Sequence, residues 1–134
     1  MKEITDLSII IPAYNEEKNV LPLYNQLKQV LDSLKKTYEI IVIDDGSTDG
    51  TFNELKRLHE NDNSVKVIQF QKNFGKSAAL SAGFSKAIGN VIVTLDADLQ
   101  DDPTEIPNFL NNIKDNDLVI GWRHKRKDTL FKKL

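Results

Sequence analysis

The sequence IIVIDDGSTDGT at residues 40–51 is a continuously apolar run that passes directly into two acids and a glycine-containing loop. An apolar run without polar alternation is expected in a strand that is covered on both faces. Such strands are typical of parallel sheets with helices packed on either side. This segment therefore predicts an α/β fold.

The same alternation of apolar runs and amphipathic stretches extends along the chain. Strands are predicted near residues 6–12, 38–44, 65–70, 90–96 and 117–120. Between them, apolar or small residues recur at helical spacing. They are Leu23, Leu27, Val30, Leu31 and Leu34, then Phe52, Leu55 and Leu58, then Ala78, Ala79, Ala82, Gly83 and Ala87. We expect a mainly parallel, doubly wound sheet flanked by helices.

Length and composition indicate one globular domain. The chain has 134 residues, of which 40% are hydrophobic and 28% charged, and it contains no cysteine. Disulfides and thiolate metal sites are therefore excluded. No stretch has the apolar length of a membrane span, and the polar N-terminus does not resemble a signal peptide. We expect a cytoplasmic protein.

Charge is distributed unevenly along the chain. The formal net charge is −2, yet residues 123–134 hold six Lys or Arg against one acid. The acidic remainder argues against nucleic acid as a partner. The basic segment could meet a phosphate or an anionic membrane surface, or could be a solvated tail. We divide the chain into a domain at residues 1–122 and a basic C-terminal segment at residues 123–134.

The sequence VIVTLDADLQ at residues 91–100 predicts a metal site at a strand end. Side chains two residues apart on a strand point the same way, so Asp96 and Asp98 can share one cation. Mg²⁺ or Mn²⁺ suits such a site, with a diphosphate supplying further ligands. The alternative is a strand end with capping acids. The sequence DPTE at residues 102–105 already predicts a helix N-cap, which leaves Asp96 and Asp98 without that role.

Two further strand ends carry polar residues with more than one interpretation. After the first strand, Asn15 could cap a helix, and Tyr14 could pack on a nucleobase or be a half-buried surface tyrosine. After the second, Asp44 and Asp45 suit ribose hydroxyls or a base edge, but adjacent acids after a strand also occur in receiver-type phosphoacceptor domains. Either Asp49 or Thr51 could cap the next helix, and Thr51, with a glutamate three residues later, fits a capping box.

The sequence QKNFGKS at residues 71–77 places a glycine and a lysine at a predicted helix start. Free backbone N–H groups at a helix N-terminus favour anions, and phosphate is the natural guest. The spacing is not that of a Walker loop. Lys76 could contact the phosphate or could be solvated.

In order and approximate spacing, the segments at residues 9–16, 43–49, 73–76 and 96–100 resemble glycosyltransferase family 2, whose members have the GT-A nucleotide-sugar-binding fold. The form DADLQ, with GWR at residues 121–123, is most similar to the branch that transfers sugars to polyprenyl phosphates such as dolichyl or undecaprenyl phosphate. This resemblance implies a metal-dependent enzyme. Its donor would be a UDP-sugar or GDP-mannose, its acceptor a polyprenyl phosphate at a membrane surface, and its transfer inverting.

The resemblance also implies roles for individual residues. Gln100 would join Asp96 and Asp98 at the metal, Ala97 would lie against the ribose, and Lys76 would lie near the diphosphate. The catalytic residues that the resemblance implies are Asp98, Arg123 and Arg126. Of these, the two arginines would bind the acceptor phosphate. The residues expected around the nucleoside are Pro12, Ala13, Tyr14, Glu16 and Asp45, to which Asp44 is added by its position beside Asp45.

Three hypotheses remain open from the sequence. Related enzymes place acceptor-binding elements and sometimes membrane helices after the position of Arg126, so we expect a truncated chain, held at the cytoplasmic face of a membrane by segments it lacks. The first hypothesis is the donor-binding part of a glycosyltransferase, which could be inactive by itself. The second is a nucleotide-sugar module that binds without transfer. The third is a phosphoacceptor signalling domain based on Asp44 and Asp45.

Overall fold

The structure is a computed structural model that describes residues 4–113. In chain order the elements are β1 (Leu7–Ala13), α1 (Val20–Ser33), β2 (Tyr38–Asp44), α2 (Thr51–Asn61), β3 (Val65–Gln69), α3 (Lys76–Lys86), β4 (Val91–Thr94) and α4 (Ile106–Asn112). A short 3-10 turn at Pro103–Glu105 leads into α4. The strand predicted at residues 117–120 and the basic segment at residues 123–134 lie outside the described residues.

The sheet is parallel and has the strand order β3-β2-β1-β4. The chain therefore moves outward from β1 to β3, and α3 then returns it to the other side of β1, where β4 pairs. In such sheets ligands bind beyond the carboxyl ends of the strands, at the point where the winding direction changes. Here that point lies between β1 and β4. The predicted α/β, doubly wound sheet is confirmed.

Helices cover both faces of the sheet, as the continuously apolar strands required. Alternate side chains of β1 point to opposite faces, so Ile9 and Ile11 join the core beneath α1 and α2, whereas Ile10 joins the core beneath α3. Each of these isoleucines is at most 2% exposed. Burial of such side chains contributes about 1.5–3 kcal/mol each.

Small residues allow α3 to pack closely on the sheet. Ala79 and Gly83 are its buried residues. A Cβ at Gly83 would lie 2.4 Å from Cγ2 of Ile10 and 3.0 Å from Cδ1 of Ile43, which is too close for an alanine without movement. The predicted small-residue face is thus the face that contacts β1 and β2, and it brings the start of α3 against the sheet edge.

The predicted cap before α4 was right, whereas at α2, where Asp49 and Thr51 were both candidates, the acceptor is Asp49 and not Thr51. Before α4, Asp102 accepts from the backbone N of Thr104 at 2.9 Å, as expected. At α2 the predicted box of Thr51 and Glu54 does not form. The carboxylate of Asp49 instead accepts from the backbone N and hydroxyl of Thr51 at 2.9 and 2.5 Å. The Thr51 hydroxyl is turned inward because it also accepts from the backbone N of Glu16 at 2.8 Å.

A buried carboxylate at the amino ends of the strands holds the loop between α3 and β4. Glu39 is 3% exposed. It accepts from the Ser8 hydroxyl at 2.5 Å, from the Ile88 backbone N at 2.7 Å and from Lys66 Nζ at 2.7 Å. Burial alone would raise the pKa of Glu39, but these donors outweigh it and hold the pKa below its ordinary value of 4.5.

We expect Glu39→Gln to lower the free energy of unfolding by about 1–2 kcal/mol at pH 7, because a charge-assisted network loses its charge. A carboxyl whose pKa is lower in the folded state contributes stability above its unfolded pKa and loses it as the pH falls through the folded pKa. The deficit of the variant should therefore shrink below about pH 4. Urea unfolding at pH 7 and at pH 3 measures this, and an equal deficit at both values would contradict it.

Candidate functional site

The loops that follow the four strands surround one open cavity of about 480 Å³ at the carboxyl edge of the sheet. This is the edge at which the strand order changes direction. The lining residues are Pro12, Ala13, Tyr14, Glu16, Asp45, Asn73, Gly75, Lys76, Asp96, Ala97 and Asp98. The structure thus brings together most of the residues that the sequence singled out in four separate segments.

Two predicted site residues do not line this cavity. Asp44 is 1% exposed, and its carboxylate accepts from the backbone N of Ser47 at 3.0 Å, so it shapes the turn after β2. This position does not support direct contact between Asp44 and a nucleotide. Gln100 donates its backbone N to Oδ1 of Asp98 at 3.1 Å. Arg123 and Arg126 lie outside the described residues.

An ion pair across the cavity links the start of α3 to the loop that follows β4. Nζ of Lys76 lies 2.8 Å from Oδ1 of Asp96, with the lysine side chain 57% exposed and the aspartate 16% exposed. Lys76 is the first residue of α3, so the ammonium and the helix N-terminus face the same side of the cavity. A positive group therefore lies beside Asp96, one of the two carboxylates predicted to bind a metal.

The loop that carries Asp96 and Asp98 is shaped by its own side chains. Asp101 accepts from the backbone N of Asp96 at 2.7 Å. Leu99 has a φ of 66°, the left-handed region that a leucine rarely adopts. Asp98 closes the same turn through its contact with the Gln100 backbone. These contacts turn the chain sharply after β4 and leave both carboxylates on the cavity wall.

The donor set suits an incomplete magnesium or manganese site. Within residues 4–113, no group of three or more His, Cys, Asp or Glu side chains is arranged to hold a metal ion. Two carboxylates are nonetheless what Mg²⁺ commonly takes from a protein when phosphates and water supply the other ligands. Asp96 and Asp98 both line the cavity and supply that number of carboxylates. They do so from the segment after the strand and not from an extended backbone as predicted, because β4 ends at Thr94 and Asp98 lies in a turn.

The first loop is held by the second, and this corrects the predicted cap at Asn15. Helix α1 begins at Val20, and Asn15, with a φ of 53°, lies outside it. The Asn15 amide oxygen accepts from the backbone N of Thr48 at 2.8 Å, and its own backbone N donates to the Ser47 hydroxyl at 2.9 Å. Beside it, Tyr14 is 45% exposed at the cavity, which leaves its ring available to a ligand.

Asn73 and Gly75 also line the cavity. Neither was among the predicted site residues, although the sequence placed Gly75 at a helix start that favours phosphate. The backbone N of Gly75 and the side-chain amide of Asn73 both donate to the carboxylate of Asp45. The signal that could have identified them is the spacing Asn-Phe-Gly-Lys just before a helix. There a glycine with a φ of 101° sets the direction of the chain into α3.

The sequence pattern that defines glycosyl transferase family 2 matches residues 8–133. The chain belongs to this family. The predicted recognition is confirmed, and with it the assignment of the chain as a glycosyltransferase domain of the GT-A type. The α/β sheet described above is accordingly part of a family 2 fold.

Two curated family members are similar over nearly all of this chain. A dodecaprenyl-phosphate galacturonate synthase of Rhizobium johnstonii is 40% identical over 129 residues, covering 94% of this chain and 38% of that protein. An undecaprenyl-phosphate 4-deoxy-4-formamido-L-arabinose transferase of Proteus mirabilis is 38% identical over 137 residues, covering 98% of this chain and 41% of that protein. The chain thus spans about two fifths of the length of these relatives.

A solved structure shows the same fold. The mannosyltransferase PcManGT of Pyrobaculum calidifontis, in complex with GDP-Man and Mn²⁺, superposes with a TM-score of 0.63 at 24% identity. The match covers 87% of this chain and 34% of that one.

Among residues 4–113 of the present chain, no helix combines the length and the apolar character of a membrane span.

Proposed function

We propose that the cavity binds a nucleoside diphosphate sugar together with Mg²⁺ or Mn²⁺, and that the protein containing this domain transfers the sugar to a polyprenyl phosphate with inversion. The observation that carries the proposal is the convergence of Lys76, Asp96 and Asp98 on one cavity. A cation, a helix N-terminus and two carboxylates together match a metal-bound diphosphate. Both relatives named above are polyprenyl-phosphate enzymes, and PcManGT was solved with GDP-Man and Mn²⁺.

Most of the lining residues have a role in this proposal. Asp96 and Asp98 hold the metal, and Lys76 neutralises charge on the diphosphate. Tyr14 and the backbone of Pro12 and Ala13 border the nucleoside, together with Glu16 and Asp45, and Ala97 lies against the ribose. All of these residues line the cavity. Gln100 as a further metal ligand remains a prediction.

The chemistry follows from the charge that develops when the sugar–phosphate bond breaks. Negative charge accumulates on the departing nucleoside diphosphate, and a bound divalent metal supplies Lewis acidity there. The Lys76 ammonium and the N–H groups at the start of α3 add positive potential at the same place. The acceptor phosphate needs no general base, because the second pKa of a phosphate monoester is near 6 and its oxygen is already anionic at neutral pH.

The acceptor side of the proposal rests on residues beyond the described range. Arg123 and Arg126 would bind the acceptor phosphate, and the basic segment at residues 123–134 would lie at the cytoplasmic face of a membrane. The relatives' names support a lipid-linked phosphate as the acceptor class.

We expect the chain to be stabilised by one nucleoside diphosphate, UDP, GDP or CDP, only when Mn²⁺ is present. A ligand that binds only the folded state adds about 2.7 kcal/mol at a concentration of 100 times its Kd, which raises Tm by several degrees. A thermal-shift panel of the three nucleotides with and without Mn²⁺ measures this and identifies the base. No shift with any of them would contradict the proposed donor site.

Two other functions are distinguishable from this one. A module that binds without transfer would give the same thermal shifts, but a longer protein containing it would neither transfer nor hydrolyse the sugar. The phosphoacceptor hypothesis is not supported, because Asp44 is buried at 1% exposure and the Asp45 carboxylate is engaged by the loop before α3. The match to glycosyl transferase family 2 also argues against it.

A further inference from the structure

The Asp45 carboxylate is almost completely buried at the edge of the cavity. Asp45 is 4% exposed. Its Oδ1 accepts from the Phe74 backbone N at 2.8 Å, and its Oδ2 accepts from the Gly75 backbone N at 3.1 Å and from Asn73 Nδ2 at 3.3 Å. Asn73 Nδ2 also donates to the Asp45 carbonyl at 3.2 Å. One carboxylate therefore holds three consecutive residues of the loop that precedes α3.

We propose that Asp45 is a positioning residue, which holds residues 73–75 so that Lys76 and the start of α3 face the diphosphate of the donor. This inference rests on the proposed function. This role is additional to the position of Asp45 beside the nucleoside, because the effect of its carboxylate would reach the ligand through the loop and would appear at the phosphates.

Backbone contacts anchor Asp45 to the end of β1 and hold its loop against the loop that precedes α3. The Asp45 backbone N donates to the Ala13 carbonyl at 2.8 Å, so the residue is anchored to the end of β1. The next residue, Gly46, has a φ of 71°, and a Cβ there would lie 2.2 Å from the Lys72 carbonyl carbon. Only a glycine allows the turn after β2 to lie directly against the backbone of the third loop. The two loops therefore touch where Asp45 binds.

Residues 73–75, which Asp45 holds, are followed directly by Lys76, the residue that forms the ion pair with Asp96. Gly75 has a φ of 101°, and a Cβ there would meet open space, so glycine is required for its backbone conformation and not for close packing. Lys76 follows and reaches Asp96 at 2.8 Å. Hydrogen bonds to an ionised acceptor are about twice as strong as neutral ones. Loss of the Asp45 charge would thus loosen the segment that aims Lys76.

Inorganic pyrophosphate lacks a nucleoside, so its affinity distinguishes a positioning role of Asp45 from a contact between Asp45 and the nucleoside. The variant is Asp45→Asn, and the probe is inorganic pyrophosphate with Mn²⁺, measured by calorimetry beside the nucleoside diphosphate that stabilises the unaltered chain. We expect pyrophosphate affinity to fall about tenfold, as when a charge-assisted hydrogen bond is lost. A variant that binds pyrophosphate as well as the unaltered chain does, while binding the nucleoside diphosphate less well, would overturn the proposal in favour of a base contact.

Asp49→Asn is the matched control. It removes the same charge from the same loop, but its contacts are to Thr51 and the Glu17 backbone, so pyrophosphate affinity should stay unchanged.

Hydrogen exchange on the unaltered chain gives a test that does not depend on the folding of a variant. The Phe74 and Gly75 amides should be protected there and should exchange at least about tenfold faster in Asp45→Asn.

The two proposals can fail separately. Rapid exchange at Phe74 and Gly75 in the unaltered chain would overturn the role of Asp45 and leave the donor site intact. Absence of nucleoside diphosphate binding to the unaltered chain, with both amides protected, would instead overturn the proposed function.

Discussion

Replacing Asp98 with asparagine is expected to lower affinity for the nucleoside diphosphate about a hundredfold and to abolish its dependence on Mn²⁺. Hydrogen bonds to charged groups contribute about 1.5–3 kcal/mol each, and we expect the contact between the metal and the diphosphate to contribute a similar amount, with each 1.4 kcal/mol a factor of ten. The loop should keep its shape, because an asparagine oxygen can still accept from the Gln100 backbone N, as Oδ1 of Asp98 does at 3.1 Å. Calorimetry with the nucleotide, with and without Mn²⁺, measures both effects.

The control for this variant is Asp102→Asn, which removes a charge from the same loop. Asp102 caps the turn before α4 and does not line the cavity, so its loss should affect stability slightly and binding not at all. If Asp98→Asn retains a binding curve that Mn²⁺ still strengthens, then Asp98 does not hold the metal.

Replacing Lys76 with methionine is expected to strengthen the binding of Mn²⁺ and to weaken the binding of pyrophosphate. The ammonium lies 2.8 Å from Asp96, where it repels any cation that approaches the same carboxylate. Its removal should strengthen binding of Mn²⁺ alone at least about fivefold, since even two unit charges at 4 Å interact by about 1 kcal/mol in water and Mn²⁺ carries two. The same change should weaken pyrophosphate binding about tenfold, because a charge-assisted hydrogen bond to phosphate is lost. Electron paramagnetic resonance of free Mn²⁺ and calorimetry with pyrophosphate measure the two effects.

Lys72→Met provides the comparison, because it removes the same charge from the same loop. The Lys72 ammonium lies over the Phe74 ring, 5.2 Å from its centre. We expect both affinities to change much less there. Parallel changes of the Mn²⁺ and pyrophosphate affinities in Lys76→Met would show that Lys76 acts on the fold of the loop and not through its charge.

The strands and helices were predictable because their patterns are local. Continuous apolar runs correctly indicated the four strands from Leu7–Ala13 to Val91–Thr94, with end points within about two residues. Boundaries were less predictable where tertiary contacts decide them. Thr51 has the residue type of a cap, yet its hydroxyl is turned inward by the backbone of Glu16, 35 residues earlier in the chain.

The position of the site was also predictable, because parallel strands bring their carboxyl ends to one edge. The division of roles between neighbouring acids was not. Asp44 is the last residue of β2, and its buried carboxylate accepts from the backbone N of Ser47 in the turn that follows. Asp45 is the first residue after the strand, and its carboxylate accepts from the loop before α3. The sequence DD does not show which of the two acids makes which contact.

By itself, the sequence determined the α/β class, the succession of strands and helices, and the four motifs that place the chain in glycosyl transferase family 2. These depend on local periodicity and on residue types at strand ends. Only the tertiary structure decided that Asp45 holds residues 73–75 and that Lys76 pairs with Asp96. Such contacts join residues 20 to 30 positions apart. They form because the chain returns from β3 along the carboxyl edge of the sheet, so that the start of α3 lies near the ends of β2 and β4, and no local pattern records that path.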